Sequence, residues 1–108
     1  MNWIPLTEAD QLTKIKSDSH DHPVVIFKHS TRCSISHMAK TRMDRGTVIE
    51  GVDYYYLDLL AYRPISNLVA ETFAVHHESP QLLLIRNGEC MYEETHNGID
   101  PEELREQV

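Results

Sequence analysis

Six residues, Pro23-Val24-Val25-Ile26-Phe27-Lys28, constrain this chain more than any others. A short, β-branched apolar run of this kind belongs to a strand buried on both faces, and so to the centre of a sheet. A polar turn follows, His29-Ser30-Thr31-Arg32, and then Cys33. Apolar residues return at Ile35, Met38, Ala39 and Met43, the spacing of one helix face, until Gly46 stops the pattern. Val52 to Asp58, with three consecutive tyrosines, reads as the next strand. Strand, helix, strand implies parallel pairing with a right-handed crossover. It also puts Cys33 at a helix start, at the carboxyl end of a parallel strand, where open α/β sheets carry their sites.

The flanking segments complete the arrangement. Thr7-Glu8-Ala9-Asp10 reads as a capping box, and Ala9, Leu12 and Ile15 then predict a first helix over about residues 7–17, broken by His20-Asp21-His22-Pro23. Pro64 opens a further helix with Ile65, Leu68, Val69 and Phe73 on its apolar face. Ser79-Pro80 precedes the strand Gln81 to Arg86, and Asn87-Gly88 is a two-residue hairpin turn into Glu89 to Glu93. Asp100-Pro101-Glu102-Glu103 supplies an N-cap, a first-turn proline and two acids for a final short helix. The expected fold is α/β: one domain over residues 1–108, with a central mixed four-stranded sheet flanked by helices and one helix ahead of the strand-helix-strand unit. That order is similar to the thioredoxin type. A chain of 108 residues, 41% apolar, can bury one such core unaided.

The formal charge of -7 argues against a nucleic-acid partner, whose binding rests on neutralising phosphates. Between residues 28 and 45, however, Lys28, Arg32, Lys40, Arg42 and Arg45 stand against Asp44 alone, a local +4 that leaves -11 for the rest. This island surrounds Cys33 and reads either as a solvated helix face or as an attractor for anions. The start of the chain has no basic leader, and no stretch approaches the roughly 18 apolar residues of a membrane span. Two cysteines far apart, Cys33 and Cys90, make no disulfide framework. These features predict a cytoplasmic protein of a reducing compartment with no membrane partner.

A thiolate is the attacking species in thiol-disulfide exchange. Three features favour one at Cys33: the free N–H groups and positive dipole end of the helix start, Arg32 beside it, and Ser36 on the first turn, whose hydroxyl can donate to the sulfur. Pro80 is either a plain edge-strand proline or a cis-proline turn. A cis bond would leave the backbone of Ser79 free to pair with a substrate's peptide groups near Cys33.

Phe27-Lys28-His29-Ser30-Thr31-Arg32-Cys33-Ser34-Ile35-Ser36, together with Glu78-Ser79-Pro80-Gln81 and Leu84-Ile85-Arg86-Asn87-Gly88, resembles the YtxJ-like family of bacillithiol-system redox proteins, the monothiol bacilliredoxins. The resemblance runs in order over nearly the whole chain and departs from the family pattern at Ser34, where proline is usual. It implies a thioredoxin-like fold and a monothiol oxidoreductase that removes bacillithiol from mixed disulfides on client proteins. It further implies Cys33 as nucleophile, with Thr31, Arg32 and Ser36 supporting it and Ser79 and Pro80 contacting substrate. No bound cofactor is implied; bacillithiol is a co-substrate, and a second low-molecular-weight thiol regenerates the enzyme. Bacillithiol is anionic, which gives the basic island a purpose.

Other readings compete. His29, Cys33 and His37 are a conceivable zinc or copper set without paired ligand spacing; solvated surface positions are the competing reading for these histidines as for His20, His22, His76, His77 and His96. An iron-sulfur site of the Cys-Gly-Phe-Ser type lacks its glycine and aromatic here. A monothiol glutaredoxin-like protein serving another small thiol, or a redox-inactive binding module in which Cys33 is incidental, are the remaining alternatives. Cys90 is expected roughly 20 Å from Cys33, at the far end of the hairpin, too distant to resolve a mixed disulfide.

Overall fold

A computed structural model describes all residues, Met1–Val108. The buried run forms β2 (Val24–His29), with all six residues buried, preceded by β1 (Trp3–Pro5) and α1 (Asp10–Asp18). Then follow α2 (Ser34–Arg45), β3 (Asp53–Asp58), α3 (Arg63–Thr72), β4 (Gln81–Arg86), β5 (Glu89–Thr95) and α4 (Pro101–Gln107). The sheet order is β1-β3-β2-β4-β5, with β1 and β2 parallel to β3, and β4 antiparallel to both β2 and β5.

Side chains alternate across the sheet and build two cores. Val24 and Ile26 join Leu12 and Ile15 of α1 and Val69 and Phe73 at α3. Val25 and Phe27 join Ala39 and Met43 of α2 and Leu104 of α4 on the other face. Each helix therefore covers the sheet with the apolar stripe visible in its sequence.

Three local expectations are corrected. The sheet has five strands, not four: β1 is three residues long and ends on Pro5, so its strand character comes from pairing with Tyr54–Tyr56 and from the Leu6 N–H to Tyr56 carbonyl bond at 2.8 Å. The first helix starts at Asp10 instead of Thr7. Gln11 has taken the capping role, its Oε1 accepting from the Thr7 and Glu8 amides at 2.7 and 3.0 Å while its Nε2 donates to the Pro5 carbonyl at 2.9 Å. The basic island is largely spent inside the fold. Lys28 is fully buried, Lys40 pairs with Asp44 at 2.8 Å, and Arg42 donates to the carbonyls of Ile99 and His96 at 2.9 and 3.0 Å. Arg32 and Arg45 remain exposed.

The Asn87-Gly88 turn has both residues at positive φ, as a tight hairpin requires. Asp100 caps α4, its Oδ1 accepting from the Glu102 amide at 3.0 Å. The Ser79-Pro80 peptide bond is cis.

Candidate active site at Cys33

β2 delivers its carboxyl end to the turn that carries Cys33. Ser30 to Cys33 closes on itself, the Cys33 amide donating to the Ser30 carbonyl at 3.2 Å. Cys33 is the N-cap of α2 with an extended backbone (φ -109°, ψ 122°). Its carbonyl already accepts from the His37 amide at 3.1 Å, while the amides of Ser34, Ile35 and Ser36 have no backbone acceptor. The sulfur is half-buried and unpaired, makes no capping bond, and belongs to the residue at the positive end of a 12-residue helix. Thr31 and Arg32 are exposed on the same turn, and Arg32 enters no salt bridge that would divert its charge.

Ser36 is placed differently from the sequence expectation. It is fully buried, and its Oγ lies 2.6 Å from His29 Nδ1 and accepts from the Ser30 amide at 2.9 Å. The hydroxyl thus binds the base of the cysteine turn, and no hydrogen bond joins it to the sulfur. His29, read from sequence as part of a polar turn, is the last residue of β2 and is buried, between Phe27 and Tyr56 with ring centroids at 6.0 and 5.6 Å. Burial, then the neighbouring His37 and Lys40, pushes its pKa below the ordinary histidine value. His37 stands edge-on to it at 4.8 Å and donates from Nε2 to the Thr31 carbonyl at 2.8 Å. The signal missed was period two: His29 follows Val25 and Phe27 onto the α2 face.

Ser79 and Pro80 reach the same end of the sheet, because Lys28 pairs with Gln81 across β2 and β4. Neither the N–H nor the carbonyl of Ser79 is bonded within the chain, and its buried Oγ has no partner. On the α3 face, Lys28 Nζ donates to the Ser66 carbonyl at 3.2 Å and lies 3.2 Å from His77 Nδ1. Its burial lowers its pKa to about 8. His29, Cys33 and His37 do not converge as metal ligands. The side chains that do, Asp18, His22 and Asp53 within 4.8 Å, lie at the amino end of β2 and β3, where His22 Nε2 and Asp53 Oδ2 pair at 2.7 Å. No helix is long and apolar enough to cross a membrane.

The family model described as monothiol bacilliredoxin BrxC matches residues 4–104. The chain belongs to this family. Among solved structures, a candidate oxidoreductase with a thioredoxin fold is similar to this bacilliredoxin-family chain at 30% identity, with a TM-score of 0.84 over 96% of this chain and 91% of that one. Thioredoxin from Malassezia sympodialis matches at 18% identity and a TM-score of 0.72, covering 97% and 86% of the two chains. Fasciola hepatica thioredoxin matches at 17% and 0.72, covering 96% and 94%. The last two establish the thioredoxin fold alone; together with the family they make this bacilliredoxin relative a monothiol redox protein.

Proposed function

We propose that the chain removes bacillithiol from mixed disulfides on client proteins, with Cys33 as its only redox centre. The observation that carries this reading is a half-buried sulfur at the N-cap of α2, at the same end of the sheet as a Ser79 backbone free to pair, with the second cysteine at the opposite end of β2. In the first step the Cys33 thiolate attacks the bacillithiol sulfur of the mixed disulfide. The old S–S bond breaks, a new one joins Cys33 to bacillithiol, and the client's thiolate leaves and takes a proton from water. In the second step a low-molecular-weight thiolate attacks the bacillithiol sulfur of the adduct, forming a small-molecule disulfide and returning the Cys33 thiolate. No bound cofactor enters either step; bacillithiol is a co-substrate.

Supporting roles follow from placement. Thr31 and Arg32 stand exposed on the turn that carries the sulfur, and the unpaired amides of the helix start lie at the same end. Ser79 presents backbone groups to a partner chain, and Pro80 fixes where they stand. Ile35, Leu60 and Tyr62 are exposed apolar side chains at the same end of the sheet, which suits a protein-sized disulfide partner. The reducing bacterial cytoplasm is the compartment in which such a cycle runs. The test is incubation of the reduced protein with a bacillithiolated client, followed by intact mass. Transfer of one bacillithiol to Cys33 with release of the client thiol is expected; a client that keeps its adduct refutes the reading.

A further inference from the structure

The cysteine turn is a four-residue loop whose only internal tie is the Cys33 amide to the Ser30 carbonyl. Two side chains outside it hold the rest. Ser36 Oγ accepts from the Ser30 amide at 2.9 Å, and His37 Nε2 donates to the Thr31 carbonyl at 2.8 Å. Ser36 has one hydroxyl proton, and its 2.6 Å contact with Nδ1 of His29 is the partner for it. His29 itself cannot shift, since Phe27 of its own strand, His37 of α2 and Tyr56 of β3 surround its ring. A continuous path therefore runs from a rigid ring in the core, through Ser36 and Ser30, to the residue that carries the sulfur.

We propose that His29 is a positioning residue for the Cys33 reaction, fixing the sulfur's direction through the Ser36 hydroxyl. Ser36 then acts on the turn and not on the sulfur directly. This rests on Cys33 being the reacting group, as proposed above, and adds a residue that the exchange chemistry alone does not require. Collinear approach of sulfurs is demanding, and a displacement of about 1 Å in a reacting atom costs on the order of a hundredfold. The groups facing the ring are Ser36, His37 and Lys40 from α2, Tyr56 and Asp58 from β3, and Phe27 from β2. Neutral His29 accepts the Ser36 proton. A charged ring would donate to Oγ instead and leave the buried hydroxyl proton without an acceptor, so protonation weakens the path.

The experiment compares the rate of Cys33 alkylation by iodoacetamide, which needs no bacillithiol, between pH 5 and 9 in the wild type, His29→Leu, His29→Gln, Ser36→Ala and the Leu/Ala double variant. Circular dichroism checks that each is folded. His29→Leu and Ser36→Ala should each slow alkylation by about tenfold, and the double variant should lose no more than either single one, because both cut the same path. His29→Gln, which can still accept from Ser36, should recover most of the rate. The wild type should show an acid-side inflection, below the ordinary histidine range, that His29→Leu lacks. Wild-type rates in His29→Leu, or losses that multiply in the double variant, overturn the proposal. Should His29→Leu not fold, the Ser36→Ala rate and pH profile carry the test alone. Alkylation that follows this pattern while bacillithiolated client goes unprocessed would sink the assigned substrate and leave the positioning role standing.

Discussion

Lys28 Nζ lies 3.2 Å from His77 Nδ1, fully buried, and its other hydrogen-bond partner is the Ser66 carbonyl. An ammonium ion is here held by neutral acceptors, with no carboxylate among its hydrogen-bond partners. Desolvation opposes its charge, and its pKa falls from 10.5 to about 8.

Stability should therefore rise with pH on the alkaline side. Below pH 8 the lysine is charged in both folded and unfolded chains, and the full cost of burying it is present. Between pH 8 and 10.5 the folded chain releases the proton first, the unfolded chain binds more, and the cost is relieved, by up to about 3 kcal/mol. Burial also holds Tyr54, Tyr55, Tyr56 and Tyr92 above their ordinary value, which reverses the trend past pH 10. Urea unfolding at pH 7 and 9.5 should show the gain in the wild type and no gain in Lys28→Met, where the raised Cys90 and tyrosine values leave only a decline. An equal gain in both would place the cost elsewhere.

The same cause acts on the acid side. His29 and His77 both titrate below the ordinary histidine value, chiefly through burial, and at His77 also through Lys28. As pH falls through about 6.5 the unfolded chain protonates first, so stability should decline. His77→Gln should remove part of this slope in thermal melts between pH 7 and 5; an unchanged slope would assign it to His29 and the carboxylates.

Cys33→Ser should abolish exchange while keeping or slightly raising stability. Serine is a preferred N-cap, worth about 1 kcal/mol, and Cys33 makes no side-chain capping bond to lose. A lowered melting temperature would show that the sulfur packs in a way the fold depends on.

Strong local signals carried most of the fold. The β2 run, the α2 spacing, the Asn87-Gly88 turn and the Asp100 cap are each decided within a few residues, and they place Cys33 at a helix start. What sequence could not show depends on pairing at a distance. β1 exists because Tyr54–Tyr56 lies beside it, and the burial of Lys28, which the charge count groups with a basic island, depends on α3 closing over it. Ser36 was legible as a functional position, but its partner was not. The cysteine is its neighbour in sequence, whereas His29 becomes its neighbour only when α2 packs back onto β2.

Cys90 is the only other thiol. In the antiparallel pairing Val24 lies opposite Ile85 and Ile85 opposite Cys90, so Cys90 sits by the beginning of β2 while Cys33 follows its end. The five steps from Val24 to His29 alone span about 16 Å, against the roughly 7 Å between Cα atoms that a disulfide tolerates. Cys90 Sγ is further committed to the Tyr92 carbonyl at 3.3 Å, and burial raises its pKa, so little of it is thiolate near neutral pH. Cys90→Ala should keep full turnover on a bacillithiolated client, and native alkylation should label Cys33 at least about tenfold faster than Cys90. Ser36→Cys supplies the positive control, because residue 36 shares the first helical turn with Cys33 and should permit an internal disulfide on mild oxidation. Intact mass of the oxidised wild type decides the cycle. One bacillithiol on Cys33 is expected, whereas a Cys33–Cys90 disulfide within a single folded chain would require the β4–β5 hairpin to open and would overturn the monothiol mechanism.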